Sequence, residues 1–176
     1  MELKSLKGCR LKIGKYPSFT YNAYGGGGTA KLLTNQNYNL IHISFSSKTF
    51  SIPPLTSKTT RFLFLPLPPG FKIEMSMDKL EGTIDKNSGE ILFKFESKFF
   101  FSIGAIIKFP YLLVKTSLGT GQVKGNLHKG HGLALQKNGK TKLVGISIIP
   151  PTGNIFLDNF LGLPNEALAE LQCEIK

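Results

Sequence analysis

Residues 91–109 read ILFKFESKFFFSIGAIIKF. Ile91, Phe93, Phe95, Phe99, Phe101, Ile103, Ala105, Ile107 and Phe109 share one parity, interrupted only by Ser97. Leu92, Lys94, Glu96 and Lys98 begin the other. Successive side chains of a strand point to opposite faces, so this alternation predicts a strand with one buried and one wetted face. From residue 91 to 103 an extended chain spans about 40 Å, far beyond an ordinary strand of ~5–6 residues. Either one long curved strand runs through, or a break lies near Ser97 and Lys98. Gly104 marks a bend. Pro110 marks an end, because proline cannot donate to a β ladder.

Upstream, Leu80, Gly82 and Ile84 alternate with Lys79, Glu81 and Thr83. Asp85-Lys86-Asn87-Ser88-Gly89 then supplies turn chemistry between two alternating runs, so 79–84 and 90–97 should pair antiparallel. Further short strands are expected over 10–14, 18–24, 29–34, 40–45, 49–52 and 71–75, with a polar turn over 35–39. Residues 61–69, RFLFLPLPP, fit an edge strand or a covered loop, since their prolines exclude a long helix. Downstream, 111–117, 122–127, 132–136 and 141–149 read as strands. The last two are joined by Lys137-Asn138-Gly139-Lys140, whose Asn-Gly is the strongest short hairpin signal. The whole predicts one mainly β domain over 1–176, an antiparallel barrel-like or strongly curved sheet of about ten strands.

The texture changes at Thr152. Phe156, Leu157, Phe160 and Leu161 form an apolar helical stripe that Thr152 or Asn154 can cap and Gly162 can stop. Pro164 suits the first position of a second short helix with Ala167, Leu168 and Leu171 on its apolar side. One or two short helices over about 153–171 should therefore cover one side of the sheet, with 172–175 returning as a strand.

The net charge is +11, carried by 22 basic against 11 acidic residues, and only Arg10 and Arg61 are arginines. Phosphates and base edges are read most specifically by arginine forks. The lysines are also dispersed, and they mostly take the parity opposite to the phenylalanines, whereas a nucleic-acid platform needs rings and charges on one face. Nucleic acid is thus not the expected partner. No apolar run reaches the ~18 residues of a membrane helix, and the basic N-terminus has no apolar signal core, so a cytoplasmic protein without a transmembrane segment is expected. Cys9 and Cys173, at opposite ends of the sequence, are expected as reduced thiols.

Candidate chemistry is sparse. No Gly-x-Ser-x-Gly elbow, His-Glu-x-x-His, Walker lysine or dinucleotide fingerprint is present, so no catalytic residue, metal site or cofactor is assigned. Gly25, Gly26, Gly27 and Gly28 fail the P-loop pattern but allow close backbone approach to a ligand. His128 and His131 share a glycine-punctuated basic loop and could contribute to a loop-assembled site, though no Cys or carboxylate lies within ten residues to complete a metal set. Phe93, Phe95, Phe99 and Phe101 could line an apolar cavity, as in small barrels that hold one ligand, or could simply fill the core. Phe71 and Phe100 could form a partner patch.

The runs TKLVGISIIPPTGNIFLDNFLGLPNEALAELQCEI and KLEGTIDKNSGEILFKFESKFFFSIG resemble a family of uncharacterised soluble proteins of cyanobacteria and plastids. The resemblance covers about the last hundred residues and implies a photosynthetic host but no activity. The leading expectation is a non-enzymatic binding or assembly module for an apolar small molecule or a protein partner. The alternatives are an enzyme with a site near His128 and His131, and a binder of an anionic surface, nucleic acid or membrane, through lysines.

Overall fold

The computed structural model describes residues 1–33 and 39–176, so the polar turn expected over 35–39 lies, but for Asn39, outside the described residues. The strand read from 91–109 is β9, Ile91–Ile103, thirteen residues without a break. Its partner β8, Phe71–Asp85, is equally continuous, so the two strands expected over 71–75 and 79–84 are one. The irregularity sits in β8, where the register shifts between Met77 and Lys79. Opposite it, fully buried Ser97 donates from Oγ to the Ser76 carbonyl at 2.9 Å, which explains the one polar residue on the inward parity.

Eight strands close a ring: β1 (Glu2–Ser5), β4 (Gly27–Leu33), β5 (Leu40–Phe45), β8, β9, β11 (Leu112–Gly119), β14 (Lys140–Ile149) and β15 (Asn165–Ile175). β15 pairs β14 along one edge, Ile149↔Asn165 to Lys140↔Glu174. Its other edge pairs first β2 (Cys9–Ile13) and then β1. From β2 the sheet continues through β3 (Phe19–Tyr21), β6 (Thr60–Phe62) and the short β7 (Leu65–Pro66). β10 (Ile107–Lys108) folds back on β9 after Gly104, whose φ is +60°. A two-stranded hairpin, β12 (Gln122–Lys124) and β13 (Lys129–His131), lies against β14 and β15.

The helix α1, Ile155–Leu161, begins where the stripe predicts. Asn154 caps it by accepting from the Leu157 amide, and Gly162 closes it in the left-handed region. The second helix is a correction: residues 165–175 form β15. Ala, Leu and Glu are strong helix formers, but Ala167, Ala169, Leu171, Cys173 and Ile175 also alternate with Glu166, Leu168, Glu170, Gln172 and Glu174. Partners on both edges settle the conflict for the strand, as tertiary context overrides propensity.

The interior has two halves. In one, Phe93, Phe45, Leu80, Ile84, Leu143 and Ile175 pack with their neighbours into a solid cluster, with the Phe45 and Phe93 rings edge-on at 5.9 Å. In the other, Phe99, Ile73, Leu67, Ile149 and helix residues Leu157 and Leu161 form a second cluster. There the ring is looser. Backbone pairing of β11 with β14 holds at Gly119↔Val144, and beyond it the Thr116 hydroxyl bridges to the Ile146 carbonyl at 2.8 Å.

Phe93→Ala should cost about 3–5 kcal/mol in urea denaturation, because the solid half cannot collapse around the void. Phe100→Ala, on the outward parity and packed on Tyr111 with ring centroids 5.8 Å apart, should cost only about 0.5–1.5 kcal/mol.

Candidate functional site

The looser half encloses a cavity of about 450 Å³, within the ~300–1,000 Å³ range of small-molecule sites. Its wall is assembled from far-apart segments: Leu11 and Ile13 of β2, Phe71 and Ile73 of β8, Ala167 and Ala169 of β15, among others. Phe62, Pro68 and Phe160 stand among the residues of its rim and wall. Small residues make room where large ones would fill it: Ser147, Ala167 and Ala169 line this space, while Gly145 lets β11 approach, since a Cβ there would lie 2.6 Å from the Ser117 carbonyl oxygen. The surface presented to the cavity is apolar. Two of the wall's hydroxyls already have partners, Thr116 at Ile146 and Tyr16 at the Phe160 carbonyl.

The four phenylalanines singled out in the sequence divide. Phe95, Phe99 and Phe101 line the cavity. Phe93 does not, being fully buried in the solid cluster. Further aromatics not singled out for the site, Phe19, Phe62 and Phe160, join the wall, with Phe19 stacked on Phe62 at 4.6 Å. Phe71 also faces the cavity, edge-on to Phe101 at 6.2 Å.

The glycine tract is taken up by backbone. A Cβ on Gly27 would lie 1.9 Å from the Leu3 carbonyl oxygen, and one on Gly26 would lie 2.6 Å from Pro53. Gly27 also exchanges two backbone hydrogen bonds with Ser51. Gly25, Gly26, Gly27 and Gly28 rim a broader, more open depression of about 630 Å³ with Glu2, Lys4 and Glu174. Close approach of neighbouring chain accounts for Gly26, Gly27 and Gly28, and a φ of +91° accounts for Gly25, where a Cβ would meet nothing within 4 Å.

The two histidines separate. His131 is exposed, whereas His128 is buried at 6% exposure and its Nε2 has no hydrogen-bond partner. His128 lines a pocket of about 310 Å³ on the outer face of the sheet with Arg10, Lys12, Lys129 and Glu170. The neighbouring carboxylates are engaged elsewhere. Glu170 pairs with Arg10 at 3.7 Å. Glu166, buried on β15, accepts the backbone N–H groups of Asn126, Leu127 and His128 at 2.6, 3.0 and 2.6 Å. It thereby pins the loop that carries His128. Burial raises the Glu166 pKa, but the three amide donors outweigh that and hold it below the ordinary carboxylate range. Among the described residues, no group of three or more His, Cys, Asp or Glu side chains is placed to hold a metal.

Cys9 and Cys173 are free and buried. Burial raises the Cys9 thiol pKa and pushes that of Cys173 up to about 12, so both are protonated, poor nucleophiles at neutral pH. Asp158, in the first turn of α1, accepts from the Thr152 hydroxyl at 2.6 Å and from the Thr152 and Gly153 amides, which lower its pKa. It is a positioning group for the turn before the helix.

Among the described residues, no helix is long and apolar enough to cross a membrane. Compared with protein-family models, with curated proteins and with solved structures, the chain has no match in any of the three.

A carboxylate with a depressed pKa contributes stability above its unfolded value, near 4.5, and loses it as pH falls through the folded value. Amide exchange at residues 126–128, monitored by NMR and corrected for intrinsic rates, should therefore stay protected from neutral pH down past the usual glutamate range and open only in stronger acid. Glu166→Gln should raise exchange there at least about tenfold at neutral pH, given about 1.5–3 kcal/mol for a hydrogen bond to a charged group. Unchanged exchange would assign the loop's order to apolar packing of the hairpin instead.

Proposed function

We propose that this protein is a non-enzymatic binding module for an apolar small molecule, held in the cavity between β2, β8, β9, β11, β14, β15 and α1. The observation that carries the reading is a cavity of about 450 Å³ with an apolar surface, in a ring of eight strands. Eight-stranded barrels have an interior of the size that holds one small ligand. At ~30 Å³ per water-sized group the space fits on the order of 15 methylene-sized units. A long-chain hydrocarbon, or a ring system of similar bulk, is the class of ligand that matches.

Energetics support the same reading. Apolar wall left in contact with water costs free energy in proportion to its area, and the surface of this cavity is apolar. The mouth is open, so water enters, but it finds few partners on such a wall. An apolar ligand removes the cost and covers the exposed rings. Two free, buried thiols suit a reducing compartment, and we place the protein in the cytoplasm on that ground.

The histidine loop favours no second, catalytic reading. An acid–base pair needs an orienting partner on the imidazole, and the nearby Glu166 and Glu170 are occupied by backbone amides and Arg10.

Titration with a fluorescent long-chain fatty alcohol tests the proposal. Wild type should bind it at one site, and saturation at a hundred times Kd should add about 2.7 kcal/mol of stability. Ala167→Phe, which places a ring in the space, should abolish binding while leaving Tm unchanged or raised. Tight binding that persists in this variant, or no binding by the wild type, would overturn the proposal.

A further inference from the structure

We propose that the cavity end of the ring docks on an anionic lipid bilayer, from which the cavity loads its apolar ligand or to which it delivers it. The loading step rests on the cavity reading above; the docking rests on separate observations.

The first is where the exposed apolar residues lie. β2, β6, β9 and β14 all end, and β3, β8, β11 and β15 all begin, at the cavity end of the ring. The segments that join them there project Phe64 at 97% exposure and Ile106 at 92%, together with Ile155, Phe156 and Phe160 of α1. The helix side chains Phe156 and Phe160 are continuous with the wall. Phe156 stacks on Phe109 at 6.0 Å and on Phe160 at 6.2 Å, and Phe160 lines the cavity.

The second is the turn at Leu63 and Phe64. Both have positive φ, +51° and +67°. Bulky L residues disfavour that region, and a two-residue turn is ordinarily served by Asn-Gly or Asp-Gly. At the opposite end of the ring the chain uses such chemistry, in Asp85-Lys86-Asn87-Ser88-Gly89 and in Lys137-Asn138-Gly139-Lys140. Two apolar side chains held outward on a disfavoured turn serve neither core packing nor turn formation. Insertion into a hydrocarbon boundary would give them a partner.

The third is charge. Lys15 and Lys108 are exposed around this end, and neither lies within ion-pair distance of a carboxylate among the described residues, whereas the Arg61 guanidinium donates to the Ser57 and Thr60 carbonyls at 2.9 and 3.2 Å. The carboxylates there are engaged: Glu74 by Lys72 at 2.6 Å, and Asp158 by Thr152 and Gly153. The chain as a whole carries +11. Apolar tips with two unpaired lysines beside them complement an anionic membrane surface, where each basic residue changes partition roughly fivefold. The cavity mouth then faces the lipid, so an apolar ligand need not cross water.

Flotation with phosphatidylcholine vesicles, with and without phosphatidylglycerol, tests this on the full chain without added ligand. Wild type should float with the anionic vesicles, more weakly with neutral ones, and less as salt is raised. Phe64→Ser with Ile106→Ser should lower partition about tenfold or more at unchanged Tm, since both side chains sit in solvent. Lys15→Glu with Lys108→Glu should remove much of the salt-dependent part. No flotation by the wild type, or flotation unchanged in both variants, would overturn the docking. So would self-association that the Phe64→Ser, Ile106→Ser variant abolishes in a chain that does not float, because the surface would then belong to a second copy. The two readings fail separately. Fatty-alcohol binding without flotation strikes only the docking, and flotation without fatty-alcohol binding strikes only the cavity.

Discussion

Everything else in the structure depends on how β15 is held. Its eleven residues pair β14 along one edge, while the other edge is shared between β2 and β1. Toward Ile175 the strand closes the eight-membered ring through β1. Toward Asn165 it leads instead into β2, β3, β6 and β7, a flap that leaves the ring. One strand therefore belongs to a tight barrel at one end and to a flared one at the other. A sheet closed over eight strands leaves an interior that side chains can just fill, so any flare converts core into cavity.

That split determines what each inward side chain does. Phe93 and Phe99 stand on the same face of the same strand, and nothing local distinguishes them. Phe93 falls where β11 and β14 are in register at Gly119↔Val144, since Gly119 pairs Leu92, and it is fully enclosed. Phe99 falls opposite Leu112, in the half where a Thr116 side chain, not a ladder bond, ties the two strands. The small residues at Ser147, Ala167 and Ala169 add to the opening. In the interior of a barrel a few side-chain volumes decide between solid packing and an open site.

The strands were legible where alternation and turn chemistry agreed. The run from Ile91 to Ile103, the Asp85–Gly89 turn and the Asn154 cap all carry local signals that the fold does not contest. Asn138-Gly139 does turn the chain, but the strand expected over 132–136 is reduced to a single Leu133↔Lys142 bridge, because β15 and β11 take the edges of β14. Residues 165–171 were not legible, because helix-forming residues also alternate with period two, and only the pairing on both edges decides between the two patterns. The cavity was legible only as a question. Three of its aromatics sit in β9, but Phe19, Phe62, Leu11 and Ile149 come from segments whose meeting depends on the branching of β15. The clamp of Glu166 on residues 126–128 had no signal at all, since a glutamate forty residues from a loop looks like any surface acid.

The central claim is that the inward face of β9 is divided, solid at Phe93 and open at Phe95, Phe99 and Phe101. Aromatic NMR shifts, with the phenylalanines labelled and a long-chain fatty alcohol titrated in, test it most directly. The account predicts saturable shifts at Phe95, Phe99 and Phe101, with Phe93 and Phe45 unmoved. Equal shifts at Phe93 and Phe45, or no shift at any of the five, would contradict it.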